Sequence, residues 1–297
     1  MRSALLILRG LVLAGLVLLG SMAAARAATT VPLPPSVCPP SATIFSDSFE
    51  AVVIPHDPSN GSGGAYPGNV TRTITVPNLG SRSYYLHLPT NYTPTHSWPL
   101  LLALHGQSLP VSTAAQQVRS DWSSWSNVDG FIVIAVAGNS TQGGWGAPGD
   151  IEEIDAALGD AFASYNVEQS RVYLWGFSAG AHYGHWLALA NTNFFAAYGV
   201  SAGSLEQYAC TDDGSFPPTC SALLGGTQPK IPVDIHLSNS DPLYLQYGAG
   251  DDPMRFESGG WVLNRDLFYT LFVGGHTYTV QQLGQIWNNI CPFALGP

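Results

Sequence analysis

The sequence predicts an α/β fold in which helices cover both faces of a mostly parallel central sheet. Short apolar stretches alternate with helix-like stretches from residue 71 onward, an order typical of a parallel sheet covered on both faces. One stretch, residues 171–178, ends in a serine between two glycines. A helix-like segment follows it, as in a strand–turn–helix unit. The chain is also long enough to bury one large core.

The first 27 residues have the pattern of a secretory signal peptide. Arg2 supplies positive charge, residues 4–19 are almost wholly apolar, and Ala25-Arg26-Ala27 offers a cleavage site. A retained membrane anchor is the alternative because the apolar stretch approaches spanning length, although Arg9 shortens it. We therefore expect a secreted, extracellular or periplasmic protein without membrane contact after cleavage.

The remaining chain divides into two regions, an arm at residues 28–70 and a catalytic domain at residues 71–297. The arm is rich in Pro, Ser and Gly and has little periodicity, which favours an extended segment. The domain contains the periodic segments. Strands are expected at residues 71–76, 83–88, 99–105, 131–136, 171–178, 194–201, 231–237 and 267–273, and helices at residues 150–165, 181–190 and 280–290.

Local chemistry supports the individual elements. The first two strands alternate polar and apolar residues around a turn at Asn78-Leu79-Gly80. The next two, at 99–105 and 131–136, are continuously apolar, as expected for strands buried on both faces. The helix at 150–165 begins with acidic residues, which its dipole favours.

The charge balance argues against nucleic acid as a partner. Three of the ten basic residues lie in the predicted leader, so seven remain against twenty acidic ones and the mature net charge is about −13. Lys230 is the only lysine, so the sequence offers no basic patch. Neutral substrates are favoured.

The four cysteines of a secreted chain indicate disulfides, for which three connectivities are possible. Pairs Cys210–Cys220 and Cys38–Cys291 are favoured, since the first closes a short loop and the second ties the arm to the C-terminus. No spacing typical of a metal site accompanies these cysteines. We expect neither a metal nor a cofactor.

The most informative motif is Gly176-Phe177-Ser178-Ala179-Gly180. A serine at a sharp strand-to-helix turn is held in strained backbone that exposes its hydroxyl, and small neighbours let strand and helix approach. Such a pattern also arises by chance in a glycine-rich chain, but apolar strand formers precede this one. Ser178 is therefore the predicted nucleophile.

A nucleophilic serine needs a base and an orienting acid, which in this arrangement follow in the order serine, acid, histidine. His276 is the predicted base because it follows a strand end in a glycine loop, whereas His236 lies inside an apolar strand. Asp241 is the predicted acid because it follows the strand at 231–237. The alternative acids are Asp251 and Asp252, on the same connection, and Asp234, in mid-strand.

The oxyanion formed during acyl transfer needs N–H donors. The backbone N–H of Ala179, directly after the nucleophile, is one predicted donor. The N–H of Gln107, in the loop after the strand at 99–105, is the other, because Gly106 lets the backbone approach. His105 is expected to brace this loop rather than transfer protons.

Together these motifs resemble the α/β-hydrolases, and more narrowly the secreted polyhydroxybutyrate depolymerases, feruloyl esterases and acetylxylan esterases. The similarity covers about residues 71–293 and includes the lead-in at 165–173. It implies ester hydrolysis through an acyl-serine intermediate without a cofactor. Members often carry a second glycine or a cysteine in the oxyanion loop, where this chain has Gln107-Ser108-Leu109.

The eight tryptophans suggest aromatic contacts with substrate, although most are expected to fill the core. Trp145, in a glycine-rich loop at the expected active-site rim, is the predicted exposed, substrate-binding tryptophan.

We expect a secreted serine carboxylesterase acting on plant-wall acyl esters or polyhydroxyalkanoate-type polyesters. One alternative is a secreted peptidase of the prolyl-oligopeptidase type, which usually carries a large propeller domain that no part of this sequence is long enough to form. The other is a non-catalytic hydrolase-like binding protein, which should lack a triad member. The sequence indicates no oligomeric state.

Overall fold

The computed structural model describes Cys38 and residues 57–146, 149–206, 208–212 and 218–296. The predicted signal peptide at 1–27 and most of the predicted arm lie outside the described residues. Within the described part of the chain, no helix combines the length and apolar character needed to cross a bilayer.

One eight-stranded sheet forms the centre of the fold. In spatial order the strands run β1, β2, β4, β3, β5, β6, β7 and β8. The first two pair antiparallel at one edge, and the remaining six are parallel, so the predicted mostly parallel sheet is confirmed. The strand bounds are β1 Gly68–Val76, β2 Gly80–Leu88, β3 Trp98–Leu104, β4 Ile132–Val136, β5 Val167–Phe177, β6 Ala197–Ser201, β7 Val233–Ser238 and β8 Leu267–Phe272.

Strands β3 and β4 are apolar throughout, as expected for strands whose two faces are both covered by helices. Every residue of β3 and β4 is buried. Leu100, Leu102 and Leu104 contribute to the core on one face, whereas Leu101 and Ala103 contribute to the core on the other. This alternation follows from the two-residue period of a strand.

Seven α-helices are described. Apolar residues of α2 and α3 pack in one core and those of α1 and α7 in the other, which confirms helices on both faces. The predicted helices α2, α3 and α7 begin and end within two residues of their expected bounds. The helix bounds are α1 Val111–Asp129, α2 Gly149–Ser164, α3 Ala179–Ala190, α4 Cys220–Gly226, α5 Pro242–Gln246, α6 Asp252–Ser258 and α7 Val280–Ile290.

The longest helix, α1, was not predicted. Its many serines lower helix propensity and obscure its apolar face. Ala115, Val118 and Trp122 are nevertheless buried at helical spacing. That spacing was the signal that could have identified the helix.

The first strand begins shortly before the predicted boundary between arm and domain. β1 starts at Gly68, so the boundary expected after residue 70 falls within a strand. Upstream of β1, the N–H of Ser59 donates to the carbonyl of Val167 at 2.8 Å. Residues 57–59 therefore run against the start of β5.

Both favoured disulfides are present, Cys38–Cys291 and Cys210–Cys220. The first ties a residue of the predicted arm to the residue that follows α7. The second closes the loop between β6 and α4. Reducing conditions should therefore release two separate regions of the domain.

Candidate active site

Ser178 occupies the sharp turn between β5 and α3. Its φ of 54° and ψ of −120° place it in sparsely populated backbone space. The flanking glycines make the turn possible, since a Cβ added at Gly176 would lie 2.1 Å from the carbonyl oxygen of Gly180. The close approach expected from the small residues is confirmed.

Three predicted site residues form one hydrogen-bonded chain. His276 Nε2 lies 2.8 Å from Ser178 Oγ, and His276 Nδ1 lies 2.6 Å from Asp241 Oδ2. These residues follow β5, β7 and β8, so each lies at the carboxyl edge of the parallel sheet. The imidazole can therefore accept a proton from the serine while a carboxylate orients it.

The carboxylate of Asp241 is fixed by its position at the start of α5. Its Oδ1 accepts the N–H of Leu243 at 2.8 Å, as a helix N-cap does. Pro242 begins the helix, where a proline costs no backbone hydrogen bond. One carboxylate oxygen is thus held by the helix while the other faces His276.

The alternative candidates for the base and the acid lie elsewhere in the fold. His236 is buried within β7, where its Nε2 lies 3.2 Å from Asp234 Oδ1. Asp252 is buried in an ion pair with Arg255 at 2.8 Å. The structure brings neither of them to Ser178, and it brings Asp241 and His276 there.

The loop carrying His276 is held against the end of β5, the strand that leads to Ser178. Tyr278 packs on Phe177 with ring centroids 4.8 Å apart, and its hydroxyl donates to Asp121 Oδ2 at 2.5 Å. Burial raises the pKa of Tyr278, so this phenol stays protonated and remains a donor. Helix α1, which contains Asp121, therefore supports the histidine loop.

The loop after β3 lies next to Ser178. A Cβ added at Gly106 would come within 3.1 Å of Ser178 Cβ. The N–H of Gln107 has no backbone acceptor among the described residues, and its side-chain amide donates to the carbonyl of Gln142 at 3.1 Å. Ala179 is the first residue of α3, so its N–H has no acceptor within the helix.

His105 braces this loop, as expected. Its Nδ1 donates to the carbonyl of Gly106 at 2.7 Å, and its Nε2 accepts the N–H of Gly138 at 3.1 Å. Burial lowers the pKa of His105, which favours the neutral ring that these contacts need. The imidazole thus links the loops after β3 and β4.

Trp145 requires a correction, because it was expected to be exposed and is 3% exposed. Its indole Nε1 donates to the carbonyl of His105 at 2.7 Å, and its ring stacks on Tyr183 with centroids 5.5 Å apart. The carbonyl of Trp145 in turn accepts the hydroxyl of Tyr208. The glycines around it bring the loop down onto α3 instead of leaving it in solvent.

Three exposed apolar side chains lie close in sequence to the site residues, and the sequence analysis did not identify them. Leu109 follows the Gly106–Gln107 loop and is 65% exposed, Leu245 follows Asp241 and is 85% exposed, and Val273 precedes His276 and is 81% exposed. Each lies two to four residues from a predicted site residue in sequence, and this proximity is the signal that could have identified them. We call these three side chains the apolar rim.

The parallel sheet and the serine turn at its carboxyl edge define an α/β-hydrolase fold, and solved structures share it. A ferulic acid esterase superposes with a TM-score of 0.57 at 17% identity, covering 75% of this chain and 97% of that one. The ferulic acid esterase of Anaeromyces mucronatus gives 0.57 at 15% identity, covering 79% and 92%. The predicted fold class is confirmed.

The chain also resembles curated proteins, although no family model matches it. A probable feruloyl esterase C of Aspergillus terreus is 28% identical over 57% of this chain and 64% of its own length. A poly(3-hydroxyalkanoate) depolymerase C of Paucimonas lemoignei is 30% identical over 48% and 36%. A bifunctional acetylxylan esterase/xylanase of Neocallimastix patriciarum is 24% identical over 63% and 24%.

These matches confirm the resemblance to feruloyl esterases, acetylxylan esterases and polyhydroxyalkanoate depolymerases that the motifs indicated. The chain spans less than two thirds of the length of each of these three relatives.

Proposed function

We propose that this protein is a serine carboxylesterase that acts through an acyl-serine intermediate. The observation that carries the proposal is the continuous hydrogen-bonded chain from Ser178 through His276 to Asp241, with spacings of 2.8 and 2.6 Å. The names of the relatives, which are esterases and a depolymerase, support it.

In the first half-reaction, Ser178 Oγ attacks the ester carbonyl while His276 Nε2 takes its proton. Asp241 orients the imidazole through Nδ1 and stabilises its positive charge. The N–H groups of Ala179 and Gln107 stabilise the oxyanion. His276 then protonates the departing alcohol, and a water molecule activated by the same imidazole releases the acid.

We infer that the substrates are neutral esters, either plant-wall acyl esters or polyhydroxyalkanoate-type polyesters. The mature chain's net charge of about −13 disfavours anionic substrates. The apolar rim, on the loops and helix that carry the site residues, offers exposed uncharged side chains. Aromatic acyl groups, acetylated polysaccharides and hydroxyalkanoate polyesters all fit the names of the relatives.

Secretion is part of the proposal. The leader pattern at residues 1–27 supports it. Two disulfides also fit an oxidising compartment.

Fluorophosphonate labelling of the purified protein tests the mechanism. Wild type should be labelled once per chain, and Ser178→Ala should abolish labelling and hydrolysis. The matched control is Ser108→Ala, which removes a nearby serine hydroxyl and should leave labelling intact. Wild-type protein that folds but neither reacts with the probe nor cleaves any ester would favour the non-catalytic alternative.

A substrate panel then tests specificity. Acetyl, feruloyl and short-chain hydroxyalkanoate esters should be hydrolysed in preference to the matching amides. Faster turnover of prolyl amides than of every ester would instead favour the peptidase alternative.

A further inference from the structure

Ser238 lies between the two loops that carry the acid and the histidine. It is the last residue of β7 and is fully buried. It stands opposite Phe272, the last residue of β8, in the parallel pair. Beyond this point β7 leads to Asp241, and β8 leads to His276.

The hydroxyl oxygen of Ser238 accepts backbone N–H groups from both loops. Ser240, one residue before the acid, donates at 3.2 Å. From the histidine side, Gly274 donates at 3.2 Å and Gly275 at 3.1 Å. One buried oxygen atom is therefore shared by three N–H groups belonging to segments 34 to 37 residues apart in the chain.

The hydrogen bonds to Ser238 lie at the ends of β7 and β8, where the backbone hydrogen bonds of the sheet no longer hold the chain. The last backbone bond between the two segments, from the N–H of Asn239 to the carbonyl of Phe272, is 3.3 Å long. Gly275 then takes a φ of +72°, which turns the chain toward the nucleophile. A small displacement of either loop would lengthen the 2.6 Å contact between His276 and Asp241.

We propose that Ser238 is a positioning residue that holds the acid loop and the histidine loop in the spacing the catalytic pair requires. The inference rests on the proposed esterase function. The contacts of the Ser238 hydroxyl are backbone N–H groups of the two loops, so it acts through the backbone on both sides. Its role is therefore in kcat rather than in substrate affinity.

Ser238→Ala removes the shared acceptor and tests the proposal. We expect kcat to fall by about 10- to 100-fold, as for a misplacement of about 1 Å, with KM changed less than about twofold. The low-field NMR signal of the proton between His276 and Asp241 should weaken or shift. Ser238→Thr keeps the oxygen on a residue suited to a strand and should restore both kcat and the signal.

A matched control separates positioning from general stability. Ser126 is also fully buried, and its hydroxyl donates to the carbonyl of Phe131 at 2.5 Å near the end of α1. Ser126→Ala should lower the melting temperature without changing kcat or the low-field signal. If Ser238→Ala does not fold, Ser238→Cys, of similar size and with a weak acceptor, should show the same loss of kcat.

The outcomes distinguish the two proposals. An inactive wild type overturns the esterase function itself. An active wild type with unchanged kcat and low-field signal in Ser238→Ala overturns the positioning role alone. Equal losses of kcat in the Ser238 and Ser126 variants would also overturn it, because stability would then explain both.

Discussion

Replacement of Trp145 by phenylalanine tests whether this residue supports the loop that carries Gln107 or contacts substrate. The indole donates to the carbonyl of His105 at 2.7 Å and packs on the ring of His105 with centroids 4.8 Å apart. His105 directly precedes Gly106 and Gln107. Loss of the indole should therefore loosen the loop that carries the proposed donor N–H.

The expected effect on stability follows from burial. Trp145→Phe leaves a buried carbonyl without its donor, which costs about 1–2 kcal/mol, and replaces a ring that is 3% exposed by a smaller one, which costs about 1–2 kcal/mol more. The sum of about 2–4 kcal/mol should lower the melting temperature by about 5–12 °C. We also expect kcat/KM to fall by about 10-fold, less than for complete loss of an oxyanion donor.

Trp261→Phe is the matched control. Its indole is 2% exposed and donates to the carbonyl of Ile231 at 2.8 Å, ahead of β7 and away from the carboxyl edge of the sheet. Calorimetry should show similar destabilisation of both variants, whereas ester hydrolysis should suffer in Trp145→Phe alone. A Trp145 variant with an unchanged melting temperature and a raised KM for aromatic esters would refute the reasoning and restore the role of an exposed stacking ring.

Three further predictions concern separate groups. Asp241→Asn should lower kcat by about 10⁴-fold in steady-state assays, because the amide can stabilise the wrong tautomer of the histidine. Burial lowers the pKa of His185 to about 3, so this residue should lower wild-type stability by about 1.4 kcal/mol per pH unit as the pH falls from 6.5 toward 3, where the unfolded chain binds the extra proton. Urea unfolding of His185→Leu should lack this contribution. Changing Cys210 and Cys220 to serine should cost about 3 kcal/mol by the same method, since the closed loop is short.

The meeting of Ser178, Asp241 and His276 could be predicted from the sequence because each lies in a local sequence pattern with few other interpretations. Ser178 follows an apolar strand between glycines, Asp241 follows a strand and precedes a proline, and His276 follows Gly274-Gly275. Parallel strands bring their carboxyl ends to one edge, so chain order alone placed the three together.

The burial of Trp145 could not be predicted in this way. A tryptophan between glycines suggests an exposed loop, and its contact partners, Tyr183 and Tyr208, lie 38 and 63 residues away in sequence. Ser238 illustrates the same limit. Its neighbours indicate an ordinary strand end, and its contacts with Gly274 and Gly275 exist only once β7 and β8 have paired.

Strand spacing explains why the histidine loop needs such anchors. Three strand intervals of about 4.8 Å separate β5 from β8, so His276 begins about 14 Å from the strand that carries the nucleophile. An imidazole cannot span that distance, and the backbone after β8 must run back over β7 and β6. Gly275 provides the turn, and Tyr278 ends the crossing against Trp175 of β5, with ring centroids 5.0 Å apart. The crossing segment is thus fixed at its far end by aromatic packing and at its near end by one serine hydroxyl, and loss of either anchor should lower kcat before it affects substrate affinity.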